Sequence, residues 1–188
     1  MTAAKNRDAD VITLGSGDLM IKEYAAGTEL TKDNFNVQTD LLGRISGGAT
    51  LEYKPTFYTA KDDSGVVSKT ILTEEEATLK SGIMTWNGKT LQKLVSTAAV
   101  SDDASTGLRT VKIGGAGNYD GKSYALCFHY TDKTDGDVWV ITRGVNQAGF
   151  SIAFAKDKET VIDAEFTCLP MDSRGTLITY IEQGATTK

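Results

Sequence analysis

A chain of 188 residues is long enough to bury one sizeable core and too short for two comfortable domains. Its 40 % hydrophobic and 24 % charged residues are the balance of a folded globular chain, and a formal net charge of −5 argues against a surface built to wrap nucleic acid, an affinity that comes from Lys and Arg neutralising phosphates. Nineteen Gly beside two Pro, with Thr spread throughout, predict many turns and β-branched strand positions, hence a mainly β fold.

Residues 1–10 are polar and lack the apolar run of a secretory signal, which predicts synthesis and assembly in a cytoplasm. No apolar stretch approaches the roughly 20 residues of a membrane-spanning helix, so no membrane partner is expected. Two short apolar runs, 11–14 and 19–24, flank Gly15-Ser16-Gly17-Asp18 and predict a hairpin. Residues 25–48 are polar and rich in Gly, Asp and Asn, with only Phe35, Val37, Leu41, Leu42 and Ile45 as apolar anchors. Such a length without a period exceeds the usual connection in a compact domain. The segment is expected to be an inter-subunit loop, mobile in the lone chain and ordered by a partner.

From residue 49 onward, Ala49, Leu51, Tyr53, Pro55 and Phe57 alternate with Thr50, Glu52, Lys54 and Thr56, a strand with one dry face. Pro55 cannot donate to a ladder and puts this strand at an edge or a bulge. A turn at Lys61-Asp62-Asp63-Ser64-Gly65 precedes a second extended run at 66–72. Glu74-Glu75-Glu76 interrupts the pattern before residues 77–86, where Gly82 is expected to form a bulge that switches faces. Asn87-Gly88 opens the one convincing helix, with Leu91, Leu94, Val95 and Ala98 on one stripe. After a loop at 101–107, strands are predicted at 108–113, 123–131, 138–143, 150–155, 160–169 and 176–182, with Asp135-Gly136 and Arg174-Gly175 as turns. The pattern predicts a single domain, 1–188: a β-sandwich or partly closed β-barrel with one flanking α-helix.

Motifs that could carry chemistry are weak. Residues 116–123 fit a relaxed phosphate-loop pattern, but a phosphate loop opens a helix, and Tyr124, Leu126, Phe128 and Tyr130 alternate as a strand. Cys127 and His129 share one strand face, with Cys168 as a third potential ligand; structural zinc sites use paired ligands at short spacing, and no second pair exists. His129 is the single His, so any nucleophilic triad needs it as base, and no Ser occupies a Gly-x-Ser-x-Gly elbow. The acidic pairs and triplets lack the spacing of a calcium loop. The sequence predicts no catalysis, no cofactor and no metal.

Several segments together resemble the major tail tube protein of long-tailed bacteriophages and phage-like tail particles. They are Asn6-Arg7-Asp8-Ala9-Asp10-Val11-Ile12 with the run that follows, the loop leading to Gly47-Gly48-Ala49-Thr50-Leu51-Glu52-Tyr53, and Ala77-Thr78-Leu79-Lys80-Ser81-Gly82-Ile83-Met84-Thr85-Trp86 with the short helix after it. The resemblance implies hexameric rings of identical subunits, stacked around a channel that holds the tape-measure protein and then DNA, in the tail of a virion, beside other tail proteins. It also implies that residues 1–10, 25–48 and 183–188 make contacts between subunits. A channel that conducts DNA should not hold it by its phosphates. The acidic groups nearest the expected barrel strands, Asp62, Asp63, Glu74, Glu75 and Glu76, are therefore the expected channel wall. Two further readings stand beside this one: a tube subunit of a contractile tail-like particle or secretion needle, and a β-sandwich that binds carbohydrate or a cell surface. Carbohydrate binders commonly expose aromatic residues, whereas Trp86 and Trp139 fall in predicted strands. An enzyme using His129 has only the lone His behind it.

Overall fold

The computed structural model describes residues 7, 12–13, 15–157 and 159–184. The expected N-terminal arm, Arg7 excepted, and residues 185–188 lie outside the described residues. In chain order the elements are β1 (Asp18–Glu23), α1 (Val37–Asp40), β2 (Leu41–Gly43), β3 (Ile45–Lys61), β4 (Ser68–Ile83), α2 (Gly88–Leu94), β5 (Ala98–Asp103), β6 (Leu108–Ile113), β7 (Tyr124–Tyr130), β8 (Val138–Asn146), β9 (Ile162–Leu169) and β10 (Ile178–Glu182). One antiparallel sheet runs β2-β1-β7-β8-β9-β4-β3, with β10 added to β8, and β5 and β6 form a separate ribbon. The fold is mainly β and sandwich-like, with one main helix and no closed barrel among the described residues.

The period of two in the strands decides what each face of the sheet meets. Leu19 and Ile21 of β1, Tyr124 and Leu126 of β7, Ile162, Ala164 and Phe166 of β9, and Leu79 and Ile83 of β4 point to one side, where Leu91 and Leu94 of α2 close over them. Each fully buried Leu, Ile or Phe there contributes roughly 1.5–3 kcal/mol. The opposite face carries a smaller cluster of Met20, Cys127 and Ile141. Asn87 starts α2 by accepting hydrogen bonds from the Lys89 and Thr90 N–H groups. The helix ends at Leu94, one turn short of the predicted stripe, and Ala98 already belongs to β5. The β-branched Val95 takes an extended conformation there (φ −131°, ψ 109°).

One edge of β8 pairs with β7; the other is shared, β10 taking residues 138–142 and β9 residues 143–146. Strands β9 and β10 are thus two parts of one line, interrupted by residues 170–177.

Four expectations are corrected. Residues 12 and 13 are not strand, and β1 makes no hairpin with them, because its two edges are taken by β7 and β2. Val11 and Leu14 lie outside the described residues. Residues 150–155 form no strand; Phe150 and Ile152 pack on the core from an irregular segment. The stretch 25–48 is no structureless loop: it holds a 3-10 turn at Lys32–Asn34, α1, β2 and the start of β3. Gly82 does not switch faces, since Ala77, Leu79, Ser81 and Ile83 all stay buried. The extra residues are Gly47 and Gly48 opposite it, both at positive φ, between the pairs Ser46↔Gly82 and Ala49↔Ser81.

Candidate assembly surface

Strands β3 and β4 are 17 and 16 residues long, far beyond the usual five or six. Only the base of β4, Thr78 to Ile83, pairs with β9. Beyond it the two strands continue as an isolated ribbon from Tyr53↔Ala77 to Lys61↔Ser68, and residues 53–76 are all exposed. As Pro55 requires, β3 is an edge strand, with no partner on its outer side among the described residues. Asp62 closes the tip: its Oδ1 accepts from the Val67 N–H at 2.8 Å, its carbonyl accepts from Gly65, and its other carboxylate oxygen accepts from the Ser64 hydroxyl. The Ser64 hydroxyl first, then the Val67 N–H, hold the Asp62 carboxyl below its ordinary pKa.

The register assigns side chains to faces. Ala49, Leu51, Tyr53, Pro55, Phe57 and Thr59 lie on the face that is buried at the ribbon's base, opposite Ser81, Leu79, Ala77, Glu75, Leu72 and Thr70. Thr50, Glu52, Lys54 and Thr56 lie on the other, opposite Lys80, Thr78, Glu76 and Glu74. Thr73 is an extra residue in β4, and its hydroxyl donates to the Thr56 carbonyl at 3.0 Å. The base of the second face is an ion-pair lattice: Lys54 to Glu52 at 2.7 Å and Lys80 to Glu165 at 3.1 Å. The Lys54 ammonium lowers the Glu52 pKa, and Glu52 raises that of Lys54.

The five expected wall acids do not form one surface. Glu74 and Glu76 share the polar face with Lys54, while Glu75 points the other way and accepts a 2.5 Å hydrogen bond from the Tyr53 hydroxyl. That bond raises the Tyr53 pKa. Asp62 and Asp63 sit at the tip, about 20 Å further out at the rise of an extended strand. Alternation of neighbours splits the triplet, and strand length removes the pair.

The five expected loop contacts are mostly spent inside the chain. Phe35 and Val37 pack on Met20, Cys127 and Ile141, and the Lys22 ammonium lies 5.1 Å from the Phe35 ring centre. Leu42 is 4 % exposed in the main core, and Ile45 packs against that core as the first residue of β3. Leu41 opens β2, half-buried. Such anchoring ties these side chains to their own body rather than leaving them free for a neighbour.

Elsewhere, Cys127 and His129 share a face, but Cys168 is on the opposite one, opposite Gly144 and beside Thr142. Both thiols are free, and burial raises both pKa values, that of Cys127 to about 12. His129 stacks on Trp139 at 4.9 Å and meets the Asp137 carboxylate at 3.2 Å. Gly121-Lys122-Ser123 leads into β7 rather than a helix. Trp86 lies past the end of β4, 6.4 Å from the 80 %-exposed Phe154 ring, contrary to its predicted strand position.

Sequence reasoning missed the exposure of the ribbon. Leu51, Tyr53, Phe57, Tyr58, Val66, Val67, Ile71 and Leu72 are 38–83 % exposed along it. Summed over both faces and the tip they offer on the order of 800 Å² of largely apolar surface, similar to one partner's share of a standard interface though not one contiguous patch. No family model matches the chain, and no curated protein matches it.

Proposed function

We propose that this protein is the structural subunit of a phage-type tail tube, assembling with copies of itself into stacked rings around a channel. The observation that carries the reading is the β3–β4 ribbon, whose outer edge is unpaired and whose apolar load is left uncovered among the described residues. A lone subunit with such an edge is a template for association, and a repeating assembly removes the hazard by using it. Neither ribbon face keeps an apolar row over the nine to eleven residues of a membrane strand, because Glu75, Thr59, Thr70 and Lys61 interrupt the drier one. Protein, not lipid, is the partner this surface suits.

In that assembly the polar face at the ribbon's base, with Thr50, Glu52, Lys54, Glu74, Glu76, Thr78 and Lys80, meets the channel water. Its two lysines are each ion-paired, Lys54 with Glu52 and Lys80 with Glu165, which gives DNA few free cations to hold. Electron microscopy of the purified protein at high concentration tests the reading: hollow tubes or rings support it, and a monodisperse monomer overturns it. The same subunit physics serves a contractile particle or a secretion needle.

The exposed Phe154, beside the partly buried Trp86, favours carbohydrate binding as a second reading. Their rings are tilted by 53° and do not make one flat platform, which keeps this reading second.

A further inference from the structure

The ribbon carries large apolar side chains on both faces at the same level. Phe57 pairs with Leu72 on the face continuous with the core, and the next rung, Tyr58 with Ile71, points to the opposite side. These four are 59, 45, 59 and 47 % exposed in that order. Below this level the second face is polar, with Lys54, Thr56, Glu74 and Glu76; above it lie Thr59, Thr70, Ala60 and Lys69. The apolar level is thus a collar, set off between polar stretches on the second face and continuous on the first with Leu51, Tyr53 and Pro55.

A strand pair lying on a single surface needs one dry face and leaves the other to water. A collar fits a different arrangement. We propose that the ribbon is gripped at residues 57–58 and 71–72 between two neighbouring copies of this chain, one on each face. This inference rests on the tube reading and deepens it. The exposed area along the ribbon suits copies of the chain as partners, since summed over both faces and the tip it reaches the scale of one subunit's share of a stable interface, to be divided here between two neighbours. An isologous pair would place one ribbon face against its partner and leave the other collar residues wet. Two different contacts on one ribbon are heterologous, and heterologous contacts propagate into rings or filaments. Each subunit then holds two neighbours with one element.

Hydroxyl-radical footprinting of the full chain, as dilute monomer and as assembly, tests the grip without any substitution. Phe57 and Leu72 on one face, and Tyr58 and Ile71 on the other, should all lose reactivity several-fold on assembly. Two double variants make an independent arm: Phe57→Ser with Leu72→Ser, and Tyr58→Ser with Ile71→Ser. Both lie outside the core, so the thermal midpoint of the monomer should stay within a few degrees of the parent. Each should block tube growth, and sedimentation should show that they stop at different species. Tubes that form while Tyr58 and Ile71 keep their monomer reactivity, or that tolerate the second double variant, overturn the two-sided grip and leave the tube reading standing. A parent protein that stays monomeric at high concentration overturns both.

Discussion

The Arg7 backbone N–H donates to the Gln183 carbonyl at 3.0 Å, joining positions near the two ends of the described chain. The Arg7 guanidinium continues inward, donating to the Gly136 carbonyl at 3.0 Å and to the Thr13 hydroxyl at 2.5 Å, and lies 5.9 Å from the centre of the Tyr130 ring. Gln183 in turn exchanges hydrogen bonds with Asp137 through its N–H and its side-chain oxygen. Gly136 has to be glycine here: it sits at φ +112°, and a Cβ would come within 3.0 Å of the Gln183 side chain. Arg7 is 8 % exposed, so its loss strands the buried Gly136 carbonyl. Arg7→Ala should cost about 2 kcal/mol in denaturant unfolding, the scale of charge-assisted hydrogen bonds, and speed amide exchange at Gln183. An unchanged midpoint would show that the clamp is not formed.

Substitutions in the glutamate triplet should separate by face. Glu74→Lys with Glu76→Lys adds cations to the polar face, so tubes should still form but pass DNA more slowly, most of all at low salt. Glu75→Lys breaks the Tyr53 bond on the apolar side and should impair assembly itself. Equal behaviour of the two variants in a tube-yield assay would refute the split.

Burial sets an alkaline limit on the fold. The Cys127 thiol and the Tyr124 phenol are each pushed up to about 12 by burial. In the unfolded chain they ionise near their ordinary values of roughly 8.5 and 10. A raised folded pKa leaves stability intact below the unfolded value and removes it as pH climbs toward the folded one. The urea midpoint should hold up to about pH 8 and fall steadily toward pH 11, less steeply in Cys127→Ala. A flat profile would mean that neither group is buried in solution. Thiol reagents at pH 8 should label Cys127 only as fast as the protein opens.

Gly43 is enclosed. A Cβ there would lie 2.2 Å from the Thr85 carbonyl oxygen, a backbone atom that cannot swing away. Gly43→Ala should lose at least about 2 kcal/mol by overpacking. At Gly117 nothing lies within 4 Å and φ is unremarkable, so Gly117→Ala should be close to neutral. Both are read from the same thermal-unfolding series.

What could be read from the sequence followed the strength of its periods. Tyr124, Leu126, Phe128 and Tyr130 alternate cleanly and became β7; Pro55 marked an edge strand, and Asp62-Asp63-Ser64-Gly65 became the turn between β3 and β4. Leu41 and Leu42 were hidden in a stretch too short and too glycine-rich to show a period, yet Leu42 is core. Phe150, Ile152 and Phe154 alternate as a strand would, but the first two reach the core from an irregular segment. For the ribbon, alternation told which side chains share a face. It cannot tell whether anything lies against that face, because coverage is a property of distant chain.

Residues 170–177 leave the line of β9 and return as β10, and hollows beside them are bordered by Tyr53, Leu72, Thr73 and Glu75 of the ribbon. This detour belongs to neither ladder, so its bulk can change without breaking a single rung. In the proposed tube it would act as a shim at the foot of a lever, a thicker one tipping the ribbon outward and a thinner one letting it settle toward β10. The tilt of the ribbon in that tube would set how sharply a ring of subunits bends. Bore and thickness would then be tuned in residues 170–177, which add no rung to either ladder although the Pro170 and Leu177 carbonyls accept from Arg143 and Thr142 of β8.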